Sequence, residues 1–111
     1  SMVYESLEVA KRLEQEKIST SVINMHTIKP IDKQAIINAQ KSKMIVTIEE
    51  HNIIGGLGTA VSEILVRNRN RPLQFFLGVE DTYKNTGSYR DILEKSGISS
   101  ELIYKKVIKE I

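Results

Sequence analysis

Apolar positions recur along this chain in two alternating rhythms, and the alternation predicts an α/β fold. Residues 4–16 read as a helix, with Val3, Leu7, Ala10 and Leu13 on one stripe and Glu and Lys opposite. The β-branched run 20–24 predicts a strand, which leads into Met25, His26, Thr27, Ile28, Lys29 and Pro30. Pro30 disfavours helix at Lys29, and Asp32 is placed to cap a helix over 33–39. The apolar run at 44–48 has the pattern of a strand covered on both faces. Residues 57–68 then read as a helix, because Leu57, Ala60, Val61, Ile64 and Leu65 fall at i, i+3, i+4, i+7 and i+8. Pro72 ends that connection and 73–77 gives a third strand. A helix near 89–95 is stopped by Gly97, and a last one follows Ser99 with Ile103, Val107 and Ile111 on one side. Strands separated by helices of this length imply a mainly parallel sheet with right-handed crossovers and helices on both faces, a three-layer α/β/α arrangement.

The length of 111 residues fits a single domain over 1–111, with enough chain for one core. With no cysteine, disulfides and thiolate metal sites are excluded. Net charge is +2, which gives no signal for nucleic acid or a membrane surface. Lys105, Lys106 and Lys109 read as a solvated helix end favoured by the helix dipole. No apolar run approaches the roughly 18 residues of a membrane span. A cytoplasmic location is the expectation.

Two stretches carry residue types suited to chemistry. Gly55, Gly56 and Gly58 follow a strand and open a helix, where free backbone N–H groups can hold a phosphate. Gly56-x-Gly58-x-x-Val61, with Glu80 further on, approaches a dinucleotide fingerprint. Val61 stands where that motif needs a small residue, and residues 50–55 make too long a turn after the predicted strand. The alternative is that these glycines supply positive φ and close helix packing. Glu49, Glu50 and His51 suit acid–base work, although neighbours on a strand face opposite ways. His51 and His26 fall at the sheet edge where open α/β folds place ligands, but two histidines without a third ligand make no metal site. A loop or interface role for these residues is the competing reading.

The runs Val22-Ile23-Asn24-Met25-His26-Thr27-Ile28-Lys29-Pro30-Ile31-Asp32 and Ile45-Val46-Thr47-Ile48-Glu49-Glu50-His51-Asn52-Ile53-Ile54-Gly55-Gly56-Leu57-Gly58 closely resemble the C-terminal domain of transketolases. Gly78-Val79-Glu80-Asp81-Thr82-Tyr83 and Thr86-Gly87-Ser88-Tyr89 extend the resemblance over nearly the whole chain. The Met-His-Thr-Ile-Lys-Pro wording is most similar to transketolases split into two subunits. Related domains close deoxyxylulose-phosphate synthases and the beta subunits of oxo-acid dehydrogenases, and these stay open as alternatives. So does a small phosphate- or nucleotide-binding module built on the Gly55–Gly58 turn.

The resemblance implies a domain without catalytic residues that buttresses the dimer interface of the full enzyme. Thiamine diphosphate and Mg²⁺ would be held by upstream domains or a partner subunit, leaving no cofactor in this chain. It further implies a strand before the first helix, at which point this chain begins with Ser1 and Met2. The strands flanking that position would then expose edges, so self-association into a homo-oligomer is expected.

Overall fold

A computed structural model describes residues 2–25, 31–52, 56–79 and 99–111. Its elements in chain order are α1 (Met2–Gln15), α2 (Lys33–Ala39), β1 (Met44–Asn52), α3 (Leu57–Leu65), β2 (Leu73–Val79) and α4 (Ser100–Glu110). Among the described residues, β1 and β2 form a two-stranded parallel sheet, with Met44 opposite Leu73 and Ile48 opposite Leu77.

Side-chain alternation sorts this sheet into two faces. Met44, Val46, Ile48, Phe75 and Leu77 pack with Val9, Leu13, Ile103 and Val107 of α1 and α4. Ile45 turns the other way, to the cluster of Ile36, Val61 and Leu65 contributed by α2 and α3. The sheet thus lies between two helical layers, as the periodicity predicts.

The helix ends follow local chemistry. Asp32 caps α2 by accepting the Ala35 N–H at 3.1 Å. Helix α1 closes with Lys17 N–H donating to the Glu14 carbonyl and Ile18 N–H to the Leu13 carbonyl. Ile18 also packs on the cluster that contains Leu13, completing a Schellman motif with Lys17 at φ 63° in the position glycine usually takes.

Four expectations need correction. Residues 20–24 join no ladder among the described residues. β-branching favours a strand only where a partner satisfies the backbone; here Thr20 N–H turns back to the Glu14 carboxylate at 2.9 Å and Ile23 faces solvent. The buried stripe of α1 is Glu5, Val9 and Leu13, while Leu7 is exposed. Both stripes have helical spacing, so periodicity could not choose between them. Strand β1 runs on to Asn52, which shortens the connection to α3 and removes loop length as an argument against nucleotide binding. Helix α3 ends at Leu65 rather than near 68, because residues 66–68 tighten into turns, with Asn68 N–H donating to the Leu65 carbonyl. The helix expected near 89–95 lies outside the described residues.

Candidate functional site at the carboxyl edge of the sheet

Glycine at the N-cap of α3 has no side chain with which to cap the helix, and Gly56 makes no such bond. The carboxylate comes instead from the preceding strand. Glu49, at the end of the regular part of β1, is buried and accepts the Leu57 N–H through Oε1 and the Gly58 N–H through Oε2, both at 2.9 Å. A negative charge at this end of a helix is favoured by the exposed amides and the helix dipole together. Glu49 therefore occupies the position in which a bound phosphate would accept the same two bonds.

Beyond Glu49 the ladder slips. Glu49 lies opposite Gly78, but the next pair is Asn52 with Val79, so Glu50 and His51 are two extra residues on β1. This irregularity breaks the strict two-residue alternation on which the sequence argument about Glu49 and Glu50 relied. Gly55 and His26 lie outside the described residues, as do Glu80 and the Thr86–Tyr89 segment of the sequence resemblance.

The glycines of the turn act differently from one another. Gly56 has φ −93°, which asks for no glycine-specific conformation. Gly58 sits inside α3, and a Cβ there would lie 2.4 Å from Phe76 Cδ2 and 3.0 Å from Thr47 Oγ1. Its carbonyl accepts a 2.9 Å bond from Gln74 Nε2 on β2. Close approach of helix to sheet is what this position requires. Thr47 Oγ1 is itself buried without a hydrogen-bond partner among the described residues.

The same borrowed cap recurs at α4. Ser99 Oγ accepts the Leu102 N–H at 3.4 Å, while Glu5, on α1, accepts the Ser100 N–H at 2.8 Å. Sequence reasoning missed Glu5. A signal existed, since Glu5 falls in register with Val9 and Leu13, and Leu102 stands where a capping box would have Glu or Gln.

An open groove of about 660 Å³ between α2 and α3 is lined by Ile31, Ile37 and Ile64 together with Lys33, Glu63 and Arg67. Among the described residues, no cluster of three His, Asp or Glu side chains could hold a metal ion. With its Leu57 and Gly58 amides taken by Glu49, the N-terminus of α3 does not present them to a diphosphate.

Comparison with known proteins decides the family. Residues 1–103 match the model of the transketolase C-terminal domain. The chain belongs to the transketolase C-terminal domain family. A protein of Methanocaldococcus jannaschii, provisionally assigned as a transketolase C-terminal section, is 36% identical over 98% of this chain and 34% of its own length. A 1-deoxy-D-xylulose-5-phosphate synthase of Marinomonas sp. is 33% identical over 94% of this chain and 16% of that enzyme. A solved split-gene transketolase, an inactive β4 tetramer, superposes with TM-score 0.87 at 36% identity, covering 97% of this chain and 35% of its own. This transketolase C-terminal domain thus spans about a third, or less, of the length of these relatives. It comes from a family of thiamine-diphosphate-dependent enzymes whose members include transketolases and deoxyxylulose-phosphate synthases. No helix among the described residues is long and apolar enough to cross a membrane.

Proposed function

We propose that this chain is a non-catalytic structural domain of a thiamine-diphosphate-dependent transketolase, acting with domains or a subunit that hold the cofactor and Mg²⁺. The observation that carries this reading is the Glu49 carboxylate on the α3 amides. The helix end best suited to an anion already holds one from its own chain, so the turn serves to fasten α3 to the sheet. Glu50 and His51, on the irregular part of β1, are loop or interface residues rather than an acid–base pair. Residues 1–111 act as one unit.

Support for partners comes from the solved split-gene transketolase, which is an inactive β4 tetramer. Self-association of this chain belongs to the same proposal, as does a cytoplasmic location. The deoxyxylulose-phosphate synthases stay as the second reading of the parent activity, because the Marinomonas relative matches over nearly the whole chain.

The reading is tested by assaying ketol transfer with the chain alone and with the cofactor-bearing chain of a split transketolase. Activity is expected only from the mixture, with the two chains co-eluting on gel filtration. Turnover by the chain alone would overturn the non-catalytic role. Formation of deoxyxylulose phosphate by the mixture would favour the second reading.

A further inference from the structure

The positive net charge of the protein is localised. Residues 40–44 and 66–73 hold Lys41, Lys43, Arg67, Arg69 and Arg71 and no acidic residue. Of 16 Lys and Arg in the chain these are five, which leaves 11 against 14 Asp and Glu elsewhere. Outside the two turns the chain is therefore net negative.

The fold brings both turns together at the amino edge of the sheet, opposite the Glu49 end. Met44 pairs with Leu73, and the Leu73 N–H donates to the Lys43 carbonyl at 3.3 Å. Asn68 Nδ2 donates to Gln40 Oε1, which ties one turn to the other. Each turn is also held internally. Ser42 Oγ donates to the Ala39 carbonyl at 2.6 Å, Asn68 Oδ1 accepts the Asn70 N–H at 3.0 Å, and the Arg71 N–H donates to the Asn68 carbonyl at 3.2 Å. Bonds within the chain thus hold each turn before any partner arrives.

Helix dipoles explain part of the cluster, since Lys41 and Arg67 lie just beyond the ends of α2 and α3. They do not explain Lys43, Arg69 and Arg71, which lie farther along the turns. All five side chains are exposed, and among the described residues no ion pair engages them. Val66 and Leu73, at the two ends of the arginine turn, are 61% and 55% exposed. The surface therefore offers cations flanked by apolar side chains.

We infer that this edge is a docking surface for an acidic, amphipathic segment of another protein chain, with carboxylates on Arg69, Arg71 and Lys43 and apolar side chains on Val66 and Leu73. Arginine pairs with carboxylates in a planar fork, and complementary charge accelerates encounter. Nucleic acid suits the surface less well. Neither turn carries an aromatic ring on which a base could stack, and phosphates have no use for the apolar flanks. This inference does not depend on the proposed function.

Fluorescence anisotropy of a labelled peptide alternating Glu with Leu, titrated with the full chain, tests it. Binding is expected to weaken as salt rises. Arg69→Glu with Lys43→Glu should reduce affinity at least ~10-fold, and Leu73→Ser should weaken it further at unchanged salt dependence. Lys33→Glu with Lys109→Glu makes the same change in net charge elsewhere and should stay within about twofold of wild type. Circular dichroism melting confirms that each variant is folded. Equal loss in both double variants would overturn the inference, because only net charge would then matter. Tighter binding of a DNA duplex than of the peptide would overturn it as well, and so would salt-sensitive self-association that excludes the peptide.

Discussion

The carboxylate of Glu49 holds the amide of Gly58 at 2.9 Å across the boundary between strand β1 and helix α3. One oxygen takes Gly58 and the other takes Leu57, so a single side chain satisfies two helix amides that Gly56 cannot reach. Truncation by Glu49→Ala leaves the buried Gly58 donor and the half-buried Leu57 donor unpaired. It is expected to cost about 2–3 kcal/mol in urea unfolding, with Glu49→Gln costing less because one acceptor survives. A loss under ~0.5 kcal/mol for the alanine variant would mean that water replaces the carboxylate without penalty.

Gly58→Ala sets two effects against each other. Alanine favours a helix interior over glycine by about 1 kcal/mol, and a first-turn position such as this one by less. The added methyl group, however, would meet the Phe76 ring edge at 2.4 Å and Thr47 at 3.0 Å. Overpacking of this kind costs roughly 1–3 kcal/mol, so net destabilisation is expected. Phe76→Leu in the same chain should recover part of it, a coupling that a double-mutant cycle reads directly. Additive effects would show that the ring is not what excludes the methyl group.

Thr47→Val should stabilise the protein, against the usual direction of such a change in a core. The hydroxyl is buried and has no partner among the described residues, and valine has nearly the same shape. Removing an unsatisfied polar atom is expected to raise stability by about 1 kcal/mol, measured as the unfolding midpoint in urea. A loss of stability would reveal a partner for the hydroxyl.

Lys17→Gly is expected to stabilise by up to about 1 kcal/mol, since Lys17 holds φ 63° at the end of α1. Thermal melting of the variant checks this. A lower melting temperature would mean that the flexibility of glycine in the unfolded chain outweighs the relief.

The layers of the fold were legible in the sequence because burial leaves a period. Ile45 against Met44 and Val46, and Val61 against Leu65, repeat at the spacings of strand and helix. Pairing left no such trace. Nothing in the β-branched residues at 20–24 says whether a neighbouring strand is there to receive them. The site was legible by residue type but not by role. Glu49 stood out as an acid beside His51, yet its work as a cap depends on Gly56 having no side chain to offer. Glu5 was hidden more completely, because a carboxylate within an apolar stripe makes sense only once Ser100 is known to lie against it.

The role proposed for this domain is to brace its enzyme without holding the cofactor. Isothermal titration of the chain with thiamine diphosphate in the presence of Mg²⁺ tests it most directly. No saturable heat is expected, since Glu49 already occupies the amides of α3. A saturable isotherm with a micromolar Kd would show that the domain itself binds the cofactor.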